Sequence, residues 1–185
     1  MSAPVLSASG LVMRFGGITA TNNVSLQLRP GARHALIGPN GAGKTTLINL
    51  LTGVLTPTEG RIELLGEDIT RLAPHQRVAR GMVRTFQINQ LFDSMTPLET
   101  LALVVLQHQG LGRQWWRVLG SSKAVTERAA QLLEQFRLAD VAHVQTRHLA
   151  YGKRRLLEIA IALACEPRVL LLDEPVAGVP AGERE

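Results

Sequence analysis

The chain has 185 residues, of which 45% are hydrophobic and 19% are charged, and its formal net charge is +5 at pH 7. This length and composition suit one domain, or one domain with an insertion, and exclude an intrinsically disordered chain. Cys165 is the one cysteine, which excludes an internal disulfide. The N-terminus lacks a signal-peptide pattern, and no run approaches the roughly 18 apolar residues that cross a bilayer. Because the Lys and Arg residues are dispersed, we expect a solvated surface and no nucleic-acid partner.

The first third of the sequence alternates strand and helix patterns. "VSLQL" (24–28) alternates apolar and polar residues, which predicts a half-exposed strand closed by the Pro-Gly pair that follows. "RHALIG" (33–38) predicts a buried strand, and "TTLINLLTGVL" (45–55) has the apolar spacing of a helix. "RIELLG" (61–66) predicts a further strand. This mixture indicates an α/β sheet that is parallel in part.

The middle of the sequence carries helix signals. In "MTPLETLALVVLQHQ", Thr96 is a predicted N-cap, Pro97 the first helical residue and Glu99 the partner of a capping box. "VTERAAQLLEQF" predicts an amphipathic helix, since helical spacing brings one set of apolar residues to a single face: Val125, Ala129, Leu132, Leu133 and Phe136.

These patterns predict how the chain is organised. We expect a helical subdomain over 88–160, inserted into an α/β core formed by 1–87 and 161–185. "RVLLLD" (168–173) returns to the core as an apolar run typical of a strand covered on both faces.

The stretch "GPNGAGKT" matches the phosphate-binding pattern G-x-x-x-x-G-K-[ST] between a predicted strand and a predicted helix. Its backbone N–H groups and the positive end of the helix dipole favour phosphate oxygens. We expect Lys44 to reach the β- and γ-phosphates, Thr45 to bind Mg²⁺ and Thr46 to contact the α-phosphate. A chance glycine turn is the alternative, and the full pattern in this context makes it rare. The predicted nucleotide-binding residues here are Gly38, Pro39, Asn40, Gly41, Ala42, Gly43, Lys44, Thr45 and Thr46.

Two adjacent carboxylates, Asp173 and Glu174, follow the last predicted strand. Burying acids at the tip of a strand is costly, and a phosphate-bound Mg²⁺ offsets that cost. We therefore predict that Asp173 binds Mg²⁺ and that Glu174 orients and deprotonates the attacking water. A helix cap is the alternative interpretation of such a pair, and the phosphate-binding loop disfavours it.

Longer stretches narrow the class of NTPase. "LAYGKRRLLEIAIALACEPRVLLLDEP" (149–175) resembles the signature motif, the following helix and the Walker B strand of the ABC ATPases. "VRTFQ" resembles their Q-loop and ends at Gln87, and Phe15 in "MRFGG" lies where the family has an aromatic residue that stacks on adenine. The residues of these motifs are most similar to those of the ATP-binding subunits of branched-chain amino acid importers. The resemblance spans the whole chain, with the motifs in the family's order.

This resemblance implies an α/β fold, the ABC-type P-loop NTPase core sheet with an inserted helical subdomain. It implies an ATPase that uses ATP and Mg²⁺, with Gln87 as a further Mg²⁺ ligand that senses the γ-phosphate. It also implies a cytoplasmic protein, peripheral on the inner face of the cell membrane, bound to integral membrane permease subunits. A second ATP-binding subunit, identical or paralogous, would receive the signature residues in trans: Ala150, Tyr151, Gly152 and Lys153.

The sequence departs from the family pattern at several positions. Ala150 replaces the usual serine, Lys153 the usual glutamine, and Pro180 an aspartate in the loop after Walker B. None of the five histidines follows Asp173, where the family has a switch histidine. We therefore expect a C-terminally incomplete chain, a fragment or truncated product, that retains nucleotide affinity with impaired turnover. Two alternatives stay open: a nucleotide-binding fragment with little turnover, and a soluble ABC-type ATPase not linked to transport.

Overall fold

The computed structural model describes residues 3–85, 92–110 and 123–172. They fall into two compact units, Met1–Val83 and Arg84–Glu185. The predicted boundary between core and helical subdomain, at 87 and 88, lies outside the described residues and stays a prediction.

The first unit contains a four-stranded antiparallel sheet with the strand order β2-β1-β3-β4. Its strands are β1 (Leu6–Phe15), β2 (Ile18–Leu28), β3 (Glu59–Leu64) and β4 (Glu67–Asp68). The strand predicted over 24–28 is confirmed within β2, and the strand predicted over 61–66 is confirmed up to Leu64, where β3 ends. From Val24 to Leu28 the side chains alternate between half-buried and exposed, as predicted. The predicted turn follows, where the Ala32 N–H donates to the Arg29 carbonyl at 3.1 Å.

Two helices belong to this unit, α1 (Lys44–Thr52) and α2 (Pro74–Ala79). The helix predicted over 45–55 is confirmed as α1, which buries Leu47, Leu50 and Leu51. It ends before the predicted stretch does, because Gly53 adopts the left-handed conformation with φ 81°, a common helix stop.

The buried strand predicted over 33–38 is wrong. This segment is exposed and forms no strand; Leu36 is 49% and Ile37 is 89% exposed. An apolar run becomes a buried strand only when distant segments supply hydrogen-bonding neighbours and cover both faces. In the described part of the first unit the sheet consists of β1–β4, and 33–38 is not one of its strands.

The second unit is mainly helical. Its helices are α3 (Pro97–His108), α4 (Lys123–Gln135) and α5 (Tyr151–Ala164), with 3₁₀ turns at Ala139–Val141 and Thr146–His148. The strand β6 (Val169–Leu171) confirms the strand predicted near 168–173, and the Thr85 N–H donates to its Leu171 carbonyl at 3.0 Å. The short strand β5 (Met82–Arg84) spans the boundary between the two units. Coverage of both faces is not observed, since Val169 is buried and Leu172 is 46% exposed. No helix within the described ranges is long and apolar enough to cross a membrane.

One apolar cluster holds the three helices together. The predicted face of α4 is confirmed, with Val125, Ala129, Leu132 and Leu133 buried. Phe136 follows the last residue of α4 and packs against the cluster as a partly buried side chain. The helices α3 and α5 contribute the remaining helical part of the cluster, including Leu101, Val105, Leu106, Leu157, Ala160 and Ala164.

The capping box predicted at the start of α3 is confirmed. The Glu99 N–H donates to the Thr96 hydroxyl at 3.2 Å, and the Thr96 N–H donates to a Glu99 carboxylate oxygen at 2.8 Å. Pro97 takes the first helical position, where its missing N–H costs nothing. These contacts, between residues three apart in the sequence, determine where α3 begins.

Replacing Thr96 by Ala is expected to lower the free energy of unfolding by about 1 kcal/mol, because the Glu99 N–H in the first turn of α3 loses its acceptor. Urea denaturation followed by circular dichroism measures the change. The control is Lys123→Ala, which removes an exposed ion pair to Glu127 and should change stability by less than about 0.5 kcal/mol. Equal effects of the two substitutions would contradict the role of the cap.

Candidate nucleotide-binding site

The predicted phosphate-binding loop forms a continuous turn that leads into α1. Gly41 and Gly43 both adopt the left-handed conformation at φ 82°, and Gly43 is the N-cap of the helix. A Cβ added to Gly43 would lie 2.4 Å from the Ala20 carbonyl oxygen of β2. At this position the loop therefore requires glycine both for its backbone conformation and for its close approach to β2.

The N-terminus of α1 is suited to an anion. The first turn of a helix leaves N–H groups without intrahelical acceptors, and the helix dipole adds positive charge there. In the structure as described, no side chain caps this end and no acidic residue lies in the first turn. A phosphate is the natural ligand of such an end because its oxygens accept several N–H groups at once.

Lys44 adds a positive charge to this loop. Its ammonium donates to the carbonyl oxygens of Gly38 at 2.7 Å and Pro39 at 2.8 Å, so the side chain folds back across the loop. Thr45, next to it in the first turn, is exposed, and Thr46 is half-buried. All nine predicted residues, from Gly38 to Thr46, thus belong to one exposed loop and the helix start that follows it.

Phe15 is connected to the same site by the β1–β2 hairpin. It ends β1, pairs with Ile18 across the turn and is 47% exposed. Ala20, whose carbonyl approaches Gly43, lies two residues beyond Ile18 on β2, a strand advance of about 6.6 Å. The hairpin therefore holds an exposed aromatic ring near the loop. Ala20 could not be predicted from the sequence, since a small residue in a strand carries no distinguishing signal.

The described residues of this site offer few protein ligands for Mg²⁺. Thr45 offers an exposed hydroxyl beside Lys44, whereas Gln87, Asp173 and Glu174 lie outside the described residues. Across the described ranges, no group of three or more His, Cys, Asp or Glu residues is placed to hold a metal ion. Mg²⁺ in NTPases commonly uses one or two protein oxygens, water and substrate phosphates, so a single hydroxyl at this position fits it.

In the second unit the signature residues begin α5. Ala150 is the exposed N-cap, and Tyr151 and Gly152 are the first helical residues. Among the described residues, no side chain caps this helix start and its first turn has no acid. The signature therefore also presents backbone N–H groups at a positive helix end.

Lys153 directs its charge back into its own unit. Its ammonium donates to the Arg137 carbonyl at 2.7 Å and to the Asp140 carboxylate at 2.8 Å. The hydrogen bond from Lys153 holds the pKa of Asp140 below its ordinary value. This contact joins the signature helix to the 3₁₀ turn at Ala139–Val141, a role that the sequence did not predict.

Comparisons with known proteins identify the family. Residues 21–177 match the ABC transporter family. The chain is 44% identical, over its full length and 74% of the relative's, to the high-affinity branched-chain amino acid transport ATP-binding protein BraF of Pseudomonas aeruginosa. It is 48% identical to LivG, the protein of the same description from Escherichia coli K12, with 97% of this chain and 72% of LivG covered.

A solved structure agrees with these relatives. The ADP conformation of MJ1267, an ATP-binding cassette of an ABC transporter, superposes with a TM-score of 0.84 at 34% identity. The superposition covers 98% of this chain and 72% of MJ1267. The glycine loop, the uncapped helix α1 that follows it and the signature residues are the features of a P-loop nucleotide-binding protein. The chain belongs to the ABC transporter family, and the fold class predicted from its motifs is confirmed.

Proposed function

We propose that this protein is the ATP-binding and ATP-hydrolysing subunit of an importer for branched-chain or related amino acids. Sequence similarity supports the proposal, because the relatives BraF and LivG are high-affinity branched-chain amino acid transport ATP-binding proteins. The observation that carries it is the uncapped N-terminus of α1, which follows a glycine turn crossed by Lys44.

The site residues divide the chemistry of ATP hydrolysis among them. The N–H groups of the loop and of the first turn of α1 bind phosphate oxygens, and Lys44 neutralises the β- and γ-phosphates. Phe15 stacks on the adenine. Thr45, Asp173 and Gln87 would hold Mg²⁺, which would supply positive charge to neutralise the phosphates. Glu174 accepts the proton of the attacking water.

A second nucleotide-binding subunit completes the proposed assembly. In this arrangement the signature of one subunit, from Ala150 to Lys153, faces the phosphates bound by the other. The uncapped start of α5 supports that role, because its N–H groups suit a γ-phosphate. The charge of Lys153 is largely compensated by Asp140, so Gly152 and the backbone supply the contact. Integral membrane permease subunits bind this assembly at the inner face of the membrane.

Replacing Lys44 by Ala is expected to weaken ATP binding by roughly 10–100-fold, since hydrogen bonds to charged groups contribute about 1.5–3 kcal/mol. Equilibrium binding of a fluorescent ATP analogue to the full chain measures the affinity. Lys123→Ala, in the second unit, is the charge-matched control and should bind like the parent. Equal affinities of the Lys44 variant and the parent, or no binding by the parent, would contradict the proposed site.

Co-purification tests the proposed link to transport. The tagged chain, expressed in its source organism and solubilised in mild detergent, should be recovered from the membrane fraction with integral membrane proteins. Recovery only from the soluble fraction, together with ATP hydrolysis, would favour the alternative of a soluble ABC-type ATPase.

A further inference from the structure

The largest fully buried polar side chain of the first unit belongs to Arg77 on α2, which is 1% exposed. Its guanidinium donates to the carbonyl oxygens of Leu50 at 2.7 Å and Leu51 at 2.6 Å, both in the last turn of α1. It also donates to the carbonyls of Leu72 at 3.0 Å and Thr70 at 2.9 Å, in the segment before α2. One side chain therefore binds the end of the phosphate-binding helix and a neighbouring segment together.

The partners of Arg77 explain how a buried cation is tolerated. All four of these acceptors are backbone carbonyls, and two of them belong to the C-terminal end of a helix, where the dipole is negative. Burial lowers the pKa of the guanidinium, which nevertheless stays protonated at neutral pH. The helix end therefore supplies the compensating charge that a carboxylate supplies in an ordinary ion pair.

Gly53 makes this approach possible. It follows α1 at φ 81°, and a Cβ there would lie 2.7 Å from Arg77 Nε and 2.8 Å from the Leu72 carbonyl oxygen. A methyl group at this position would therefore displace the guanidinium as well as strain the backbone. Gly66 has nearly the same φ, 82°, and no atom lies within 4 Å of a Cβ added there. Alanine at Gly66 would therefore strain the backbone without a steric clash, which makes it a matched control.

We infer that Arg77 is a positioning residue for the nucleotide site, acting through α1. The inference rests on the proposed function. The helix has nine residues, too few to be stable alone, so packing and its ends decide where it lies. In the described structure its N-terminal end lacks a side-chain cap, which leaves those N–H groups for phosphate. Arg77 fixes the opposite end, and with it the direction in which the loop presents its donors.

The test compares ATP affinities of full-length variants at a low temperature where circular dichroism shows each to be folded. Arg77→Met and Gly53→Ala are each expected to weaken ATP binding about tenfold, equivalent to about 1.4 kcal/mol. Arg77→Lys should recover part of the loss, because lysine keeps the charge and three donors without the planar fork. Gly66→Ala and Arg80→Met, an exposed residue that pairs with Glu67, are the controls and should bind like the parent.

A merely structural role predicts a different result. Ile62→Ala removes a fully buried side chain of β3, destabilises the same unit and should leave the affinity of the folded protein unchanged. Parent-like affinity in folded Arg77→Met and Gly53→Ala would overturn the inference and leave the proposed function standing. Absence of ATP binding by the parent would overturn both. Should Arg77→Met fail to fold, Gly53→Ala decides the question.

Discussion

Replacing Glu174 by Gln is expected to slow ATP hydrolysis by roughly 10²–10⁴-fold while ATP binding is kept, because a general base contributes a factor of that order. Glutamine retains the size of the side chain and its hydrogen-bonding capacity, yet it cannot accept the proton of water. The phosphate contacts of Lys44 and the loop are unchanged by this substitution. Steady-state phosphate release measures the rate, and a fluorescent ATP analogue measures the affinity.

The control for Glu174 is Glu166→Gln, which neutralises a carboxylate on the surface of the second unit near His108 and Arg128. It should leave the hydrolysis rate within about twofold of the parent, since exposed ion pairs contribute little. An unchanged rate in Glu174→Gln would exclude that residue as the base. A parent that binds ATP without measurable hydrolysis would instead favour the nucleotide-binding alternative.

Local signals in the sequence predicted much of the site. A glycine loop, its lysine and the helix that follows are encoded by adjacent residues, so Gly38 to Thr46 could be assigned before the fold was known. The capping box of Thr96 and Glu99 is local for the same reason, and both of its hydrogen bonds are present. The helix α4 could be predicted because its apolar residues recur with the helical period, and the face that they form is the one that α4 buries.

Features that depend on distant residues were harder to predict. The segment 33–38 has the apolar composition of a buried strand, and composition cannot specify which segments pair with it or cover it. Arg77 appears in the sequence as one basic residue among many, whereas its burial follows from carbonyl groups twenty-six and twenty-seven residues away. The carbonyl oxygen of Ala20 approaches Gly43 through the backbone, and no side-chain pattern records such a contact.

The roles of Gln87, Asp173 and Glu174 remain proposals derived from motif and family. They belong to segments beyond the described residues, and the rate measurements above test the role of Glu174. The Glu174 prediction addresses the chemical step, and the Lys44 prediction addresses the phosphate contacts. A loss of hydrolysis rate in Glu174→Gln and a loss of ATP affinity in Lys44→Ala would assign the two roles to different residues.

Replacing Gly43 by Ala is expected to disrupt both stability and ATP binding. The left-handed conformation costs an alanine about 1–2 kcal/mol. The added methyl group would also lie 2.4 Å from the Ala20 carbonyl oxygen, which belongs to the backbone of β2 and cannot rotate away. Displacing it should cost about a further 1–3 kcal/mol, the range for overpacked sites. Urea denaturation of the full chain measures the combined loss, and analogue binding measures the affinity at low temperature.

Gly41 provides the matched control, because it has the same φ of 82° and no atom within 4 Å of an added Cβ. Gly41→Ala should therefore show the conformational cost alone, and the difference between the two variants isolates the contact with β2. Since Ala20 lies on the hairpin that carries Phe15, movement of the loop away from β2 also separates the phosphate contacts from the aromatic ring. Gly43→Ala should thus lose more affinity than Gly41→Ala, and equal losses would show that β2 does not support the nucleotide site.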